Sequence, residues 1–124
     1  IKAMNNKSLL VEDARVLILG LTFKENCPDI RNTRVVDIID GLRKYKCLVD
    51  VYDPWVSKIE AQQEYGVFPI DYPKIGLYDG VLLAVSHNEF RKMGVKKIRT
   101  FMKDGGVIYD LKYALNSSGV DLRL

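Results

Sequence analysis

The chain has 124 residues, 48% of them hydrophobic and 28% charged, which is the size and composition of one globular domain. Its 19 Lys and Arg against 16 Asp and Glu leave a net charge of +3 with both signs interleaved, so neither a nucleic-acid surface nor a polybasic membrane surface is indicated. No apolar run reaches the roughly 18 residues of a membrane span and no leading order of basic, apolar and small residues marks a signal peptide, so the sequence reads as soluble and cytosolic.

Residues 1–14 are mixed and weakly periodic and read as a lead segment from a preceding domain; the sequence starts at Ile1, which suggests a piece of a longer protein, with Met4 as an alternative start. The domain proper, 15–124, opens with Arg15 to Gly20, a short apolar run ended by glycine that predicts a strand buried on both faces. Leu21 to Asn32 is a polar loop, and Asn32 or Thr33 can cap the next segment. There Val35, Val36, Ile38, Ile39 and Leu42 recur at helical spacing while Arg34, Asp37, Asp40, Arg43 and Lys44 face outward, which predicts an amphipathic helix. Leu48 to Tyr52 is a second strand, closed by Asp53 and Pro54, and Val56 to Tyr65 is a helix stopped by Gly66.

Val67 to Ile70 is expected to be a short edge strand, Tyr72 to Leu77 one helical turn, and Gly80 to Val85 the most apolar strand. Asn88 to Met93 and Val95 to Met102 predict a short helix followed by a longer one; Asp104-Gly105-Gly106 then turns the chain into a strand over Val107 to Tyr109. Strand and helix alternate throughout. That order predicts an α/β fold, a Rossmann-like three-layer sandwich with a mostly parallel sheet between helices.

Ligands of such sheets bind beyond the carboxyl ends of the strands. Those ends are Gly20 to Asn32, Asp53-Pro54-Trp55, Ser86-His87-Asn88 and Asp110-Leu111-Lys112. A dinucleotide site at the first would need G-x-G-x-x-G, because glycines let the backbone approach a pyrophosphate. Only Gly20 is present, so Asp53, although placed like a ribose acceptor, has no fingerprint to accompany it. A phosphate-accepting receiver would need acids where Gly20-Leu21 stands, and neither a Walker A motif nor H-E-x-x-H occurs. The first loop instead concentrates Lys24, Glu25, Asn26, Asp29, Arg31, Asn32 and Thr33 ahead of a helix start. Lys24 and Arg31 suit the oxygens of a phosphate or carboxylate; alternatively Lys24, Asp29 and Arg31 form an ion-pair network that orders the loop. Both readings stay open on the residues alone. Cys27 and Cys47 form no CxxC, so neither a disulfide scaffold nor a metal site is indicated and two free thiols are expected.

The run Gly20-Leu21-Thr22-Phe23-Lys24-Glu25-Asn26-Cys27-Pro28-Asp29-Ile30-Arg31-Asn32-Thr33, with Val49-Asp50-Val51-Tyr52-Asp53-Pro54 and Ala84-Val85-Ser86-His87-Asn88-Glu89-Phe90, resembles the C-terminal, UDP-binding domain of the UDP-glucose/GDP-mannose dehydrogenase family. The resemblance covers about residues 14–124, and the F-K-x-x-x-x-D-x-R spacing is long and specific. It is nearest the branch that oxidises UDP-N-acetylhexosamines for bacterial capsule, O-antigen and Vi-type polysaccharides. Members of the family oxidise C6 of a nucleotide sugar to a carboxylate in two NAD-dependent steps through a thioester on a catalytic Cys.

The resemblance implies that Phe23 and Lys24 contact the UDP-sugar and that Arg31 reaches NAD, a cofactor bound mainly by an N-terminal domain outside this sequence. The family's late substrate arginine falls at Lys112 or Tyr113; Lys112 keeps the charge without the bidentate fork. The catalytic Cys of the family precedes this segment, so Cys27 reads as loop structure and Cys47 as a small buried hydrophobe. His87, Asp53 and Pro54 are expected to fix the strand-end turns, and an aromatic such as Trp55 could stack on uracil. Expected partners are a UDP-sugar, the N-terminal and central domains of the same chain, and a second subunit in a homo-oligomer; the 124 residues alone are expected to be inactive as a dehydrogenase. The rival readings are a free-standing nucleotide- or phosphosugar-binding module and a domain for interdomain packing.

Overall fold

A computed structural model describes residues 12–111 and the two-residue strand Leu122–Arg123. Among these residues the strands are β1 (Arg15–Leu19), β2 (Leu48–Tyr52), β3 (Tyr78–Leu83), β4 (Met102–Asp110) and β5 (Leu122–Arg123), and the helices α1 (Val35–Lys44), α2 (Lys58–Tyr65) and α3 (Asn88–Arg99). All pairings are parallel and the sheet order is β2-β1-β3-β4-β5. The expected α/β sandwich is therefore the observed architecture.

The alternation of side chains along the central strands builds two separate cores. Val16 and Ile18 of β1 join Val35 and Ile39 of α1 and Ala61 of α2 on one face of the sheet. Leu17 and Leu19 join Phe90 and Ile98 of α3 on the other. Because β1 is buried on both sides, every residue from Val16 to Leu19 is apolar, as a central parallel strand requires. Helix α1 carries Asp37 in its first turn and Arg43 and Lys44 in its last, signs that suit the helix dipole.

Several boundaries depart from expectation, and β3 runs Tyr78–Leu83 where Gly80 to Val85 was expected. Helix α2 begins at Lys58 because Ser57 caps it, its hydroxyl accepting the Glu60 N–H at 3.3 Å; Gly66 closes it in the left-handed conformation. Val67 to Ile70 is no strand: its backbone meets β2 through the Ile70 N–H to the Val51 carbonyl at 2.8 Å, and Pro69 has no N–H to extend a ladder. Val67 lies in the α1-side core and Ile70 in the α3-side core, so this segment carries the chain around the β2 edge from one face to the other. Tyr72 to Leu77 forms a bend and a turn instead of a helical turn, with Pro73 and the left-handed Gly76 (φ 68°) inside it.

Helix α3 absorbs both predicted helices across a kink at Gly94 and ends at Arg99, leaving Met102 to start β4. The Asp104-Gly105-Gly106 turn lies inside β4: Tyr78 pairs with Met102 but Gly80 with Val107, so the intervening residues bulge out of register. Gly105, at φ 79°, supplies the conformation that bulge needs.

Candidate functional site

Helix α1 links β1 to β2 on one side of the sheet, whereas α3 links β3 to β4 on the other. Chain connections therefore leave β1 and β3 in opposite directions, and a crevice opens where these neighbours diverge. Gly20 marks the point of divergence. Its N–H donates to the Tyr52 carbonyl at 2.9 Å, and the Leu19 carbonyl before it accepts from Ala84 and Val85. At φ 105° it has a backbone that side chains rarely adopt, and a Cβ there would stand 2.6 Å from Val85 Cβ. The glycine thus serves the close approach of β1 to β3.

Three strand-end segments meet beneath this point. Asp53, at the end of β2, is buried and accepts N–H bonds from Leu21 (2.7 Å) and Thr22 (3.1 Å) on Oδ2 and from Trp55 (2.7 Å) on Oδ1. Oδ2 also lies 2.9 Å from His87 Nε2, and Thr22 Oγ1 lies 3.1 Å from the same nitrogen. Burial raises the Asp53 pKa, but the bonds from His87 and from backbone N–H groups outweigh it and hold the carboxyl below its ordinary value. His87, with no exposed surface, stacks against Trp55 at 6.0 Å between centroids and accepts the Asn26 N–H on Nδ1 at 2.8 Å. The expected turn-fixing roles of Asp53 and His87 are the observed ones.

The loop after β1 stands above this frame. The Phe23 N–H to Asp29 carbonyl bond closes it at 2.6 Å, and Asn26 and Asn32 take left-handed φ values of 54° and 61°. Its far end is tied down by Thr33, whose hydroxyl donates to the Leu21 carbonyl at 2.7 Å and accepts the Val35 N–H at 3.3 Å. Of the two predicted capping residues it is Thr33 that bonds the helix start, from one residue before the Arg34 cap position. The near end bonds to the β3 side: Ser86 Oγ donates to Glu25 Oε2 at 2.5 Å, and the Asn88 N–H donates to Asn26 Oδ1 at 2.9 Å.

The sequence-predicted residues separate onto two sides of the loop. Phe23, 55% exposed, lines a cleft of about 220 Å³ at the β1/β3 divergence with Thr22, Thr33, Val35, Ala84 and Val85. Lys24 follows it into solvent and makes no ion pair among the described residues. Arg31 lines a broader groove of about 790 Å³ with Cys27, Glu60, Glu64 and Tyr65. Its guanidinium grips Asp29 in bidentate fashion, Nε to Oδ1 at 3.0 Å and Nη2 to Oδ2 at 2.9 Å. The bonds from Arg31 lower the Asp29 pKa to about 2. The ion-pair reading of this loop therefore holds for Asp29 and Arg31, while Lys24 acts on Asp29 through its charge without an ion-pair contact. Lys112 lies outside the described residues.

Cys47 is buried, and burial raises the pKa of its thiol; Cys27 is half-buried on the loop. Among the described residues no group of three or more His, Cys, Asp and Glu side chains can hold a metal ion, and no helix is long and apolar enough to cross a membrane.

Comparison with known proteins agrees with this geometry. The UDP binding domain of the UDP-glucose/GDP-mannose dehydrogenase family matches residues 17–117. The chain belongs to that family. Over all of its 124 residues it is 54% identical to a UDP-N-acetyl-D-glucosamine 6-dehydrogenase of Pseudomonas aeruginosa and 52% identical to one of Salmonella typhi. It spans 29% of the length of each. A solved UDP-D-ManNAc dehydrogenase from Pyrococcus horikoshii shares the fold at a TM-score of 0.78 and 22% identity, with 98% of this chain and 28% of that one covered.

The family implies NAD, and the described residues do not form a site for its dinucleotide at β1 and β2. The carboxylate that a ribose would require, Asp53, is buried and already serves the N–H groups of Leu21, Thr22 and Trp55. Gly20 faces Val85 and is followed by Leu21 and Thr22, both buried, where a pyrophosphate loop would need open backbone. Asn26 is the residue whose role the sequence concealed. It has the composition of any loop residue, and only the register of the strand ends brings it onto His87.

Proposed function

We propose that this chain is the UDP-sugar-binding domain of an NAD-dependent nucleotide-sugar 6-dehydrogenase acting on a UDP-N-acetylhexosamine for surface polysaccharide synthesis. The observation that carries the reading is the match over all 124 residues, at 54% identity, to a UDP-N-acetyl-D-glucosamine 6-dehydrogenase. The cleft at the β1/β3 divergence supports it, because it lies where an open parallel sheet offers a ligand both an apolar wall and a helix start. In this reading Phe23 lies against the nucleotide sugar and Lys24 supplies an ammonium to its oxygens. Lys112 is proposed as a further cation for the same ligand.

Arg31, on the opposite side of the loop, addresses NAD held by the remainder of the enzyme, and exchanges Asp29 for a cofactor phosphate when the two parts close. NAD supplies the hydride acceptor. The residues of this chain bind and orient, so that binding energy on the UDP portion positions C6 for oxidation. The nucleophilic Cys and the dinucleotide loop belong to other parts of the enzyme, which we place in the cytoplasm as a homo-oligomer, and the 124 residues alone reduce no NAD.

The test is NADH formation by the complete reading frame with UDP-N-acetylglucosamine, UDP-N-acetylgalactosamine and UDP-glucose. Turnover of a UDP-N-acetylhexosamine, with Lys24→Ala raising KM for the sugar and Arg31→Ala raising KM for NAD, is the expected result. No turnover of any UDP-sugar contradicts the proposal. Variants that lower only the denaturation midpoint would support the packing role instead.

A further inference from the structure

His87 joins the strand-end frame to the loop of Phe23 and Lys24, and its ring geometry fixes how. The Asn26 backbone N–H can only donate, so Nδ1, 2.8 Å away, accepts and carries no proton. The ring hydrogen is therefore on Nε2, facing Asp53 Oδ2 at 2.9 Å and Thr22 Oγ1 at 3.1 Å. Thr22 Oγ1 donates its own hydrogen to the Lys24 carbonyl at 3.1 Å, which leaves its lone pairs toward Nε2. Each ring nitrogen thus has one task, donation to the frame or acceptance from the loop. Trp55 at 6.0 Å and Phe90 at 5.6 Å flank the ring and hold its plane.

The accepting bond falls on a turn position. Asn26 has φ 54°, the left-handed conformation that Asn adopts more readily than other non-glycine residues, and among the described residues its N–H there is paired only with His87 Nδ1. Asn26 stands three and two residues after Phe23 and Lys24, within the loop that the Phe23 N–H to Asp29 carbonyl bond closes. Two further tethers, Ser86 to Glu25 and Asn88 to Asn26, reach the same loop from the surface. His87 alone among these partners is wholly buried and bonded to Asp53.

We propose that His87 is a positioning residue for nucleotide-sugar binding: Nε2–H anchors the ring to Asp53, and Nδ1 holds Asn26 in the left-handed turn that presents Phe23 and Lys24. This rests on the reading of that loop as the sugar-nucleotide contact, and it goes beyond it by naming the group that keeps the loop competent.

Two substitutions divide the ring's tasks. In His87→Asn the amide oxygen takes the place of Nδ1 and can accept from Asn26, while Asp53 is out of reach. In His87→Gln the amide nitrogen takes the place of Nε2 and can donate to Asp53, while the Asn26 N–H loses its acceptor. Calorimetric titration of the 124-residue chain with UDP-N-acetylglucosamine is to be combined with hydrogen exchange at the Asn26 amide, below the denaturation midpoint of each variant. His87→Asn is expected to bind within about threefold of the parent and to keep Asn26 protected. His87→Gln is expected to bind about tenfold more weakly with Asn26 exposed to exchange, since a loop competent about one time in ten raises Kd by that factor.

Equal Asn26 exchange in the two variants, or affinities that follow only their denaturation midpoints, overturns the proposal. If the parent chain binds no UDP compound, the functional reading fails, and the exchange comparison still decides the role of His87. Should neither variant fold, the imidazole ¹⁵N shifts of the parent decide: an unprotonated Nδ1 with a protonated Nε2 supports the proposal, and the reverse tautomer overturns it.

Discussion

Asp53 and Asp29 each hold a side-chain nitrogen at 2.9 Å, and there the likeness ends. Asp53 meets His87 where both side chains have no exposed surface, and the donors around it come from all three strand-end segments: Leu21 and Thr22 after β1, Trp55 after β2 and His87 after β3. Asp29 meets Arg31 at the surface, where the arginine side chain is 85% exposed and both residues belong to one loop. The buried contact cannot be exchanged without leaving donors unsatisfied, whereas the exposed one can be traded for water or a ligand anion at little cost. The first builds the site and the second is available to function.

Removing the buried carboxylate should break the comparison most severely. Asp53→Ala leaves the N–H groups of Leu21, Thr22 and Trp55 without their acceptor, and the expected loss is about 3–5 kcal/mol by urea unfolding. Its titration gives the same contrast a sign. The folded pKa is below the unfolded value of about 3.9, so the stabilisation is complete above that value and disappears as pH falls through the folded one. Urea midpoints between about pH 6 and about pH 2 should fall in the parent and fall less in Asp53→Asn, which has no carboxylate to protonate.

Gly20→Ala should be nearly as damaging, about 2–4 kcal/mol, because the added Cβ meets both an unfavourable φ and Val85. Thermal unfolding checks it, and Val85→Ala in the same chain should recover the part due to the clash while leaving the backbone strain. Thr33→Val removes the bonds to Leu21 and Val35 and should cost about 1–2 kcal/mol, with the amide shifts of the loop moving more than those of the sheet. At the exposed end, Arg31→Ala should leave the unfolding midpoint where it is. Its expected signature is local: the Asp29 carboxyl, at about 2 in the parent, should titrate near its ordinary value of about 3.9 by NMR. A stable parent whose midpoint drops sharply in Arg31→Ala would erase the distinction between the two contacts.

Much of this was legible in the residues, and what was not has a common cause. β1 shows in the sequence as the apolar run Val16 to Leu19 ended by Gly20, since burial on both faces leaves no polar position inside it, and β2 is closed by Asp53-Pro54; the apolar run Gly80 to Val85 marks β3 two residues late, because Asp79 interrupts the start of the strand. The strand-end rule was enough to put Asp53, His87 and the Gly20 to Asn32 loop on one side of the sheet. It could not show that Asn26 meets His87 or that Arg31 and Phe23 face different clefts, because those depend on the path of an irregular loop held by single hydrogen bonds. The β4 bulge and the wrap of Val67 to Ile70 around the sheet edge escaped for the same reason. Glycine and proline announce a break in regular structure, whereas the direction the chain then takes is decided by tertiary packing.

The most direct test is an amide NMR titration of the 124-residue chain with UDP-N-acetylglucosamine, UDP and NAD, each to millimolar concentration. Saturable shifts with the two UDP compounds, clustered at Thr22, Phe23, Lys24, Ala84 and Val85 and absent with NAD, are the predicted result. Saturable shifts with NAD centred on Gly20 and Asp53, or UDP shifts confined to residues remote from the β1/β3 divergence, would contradict it.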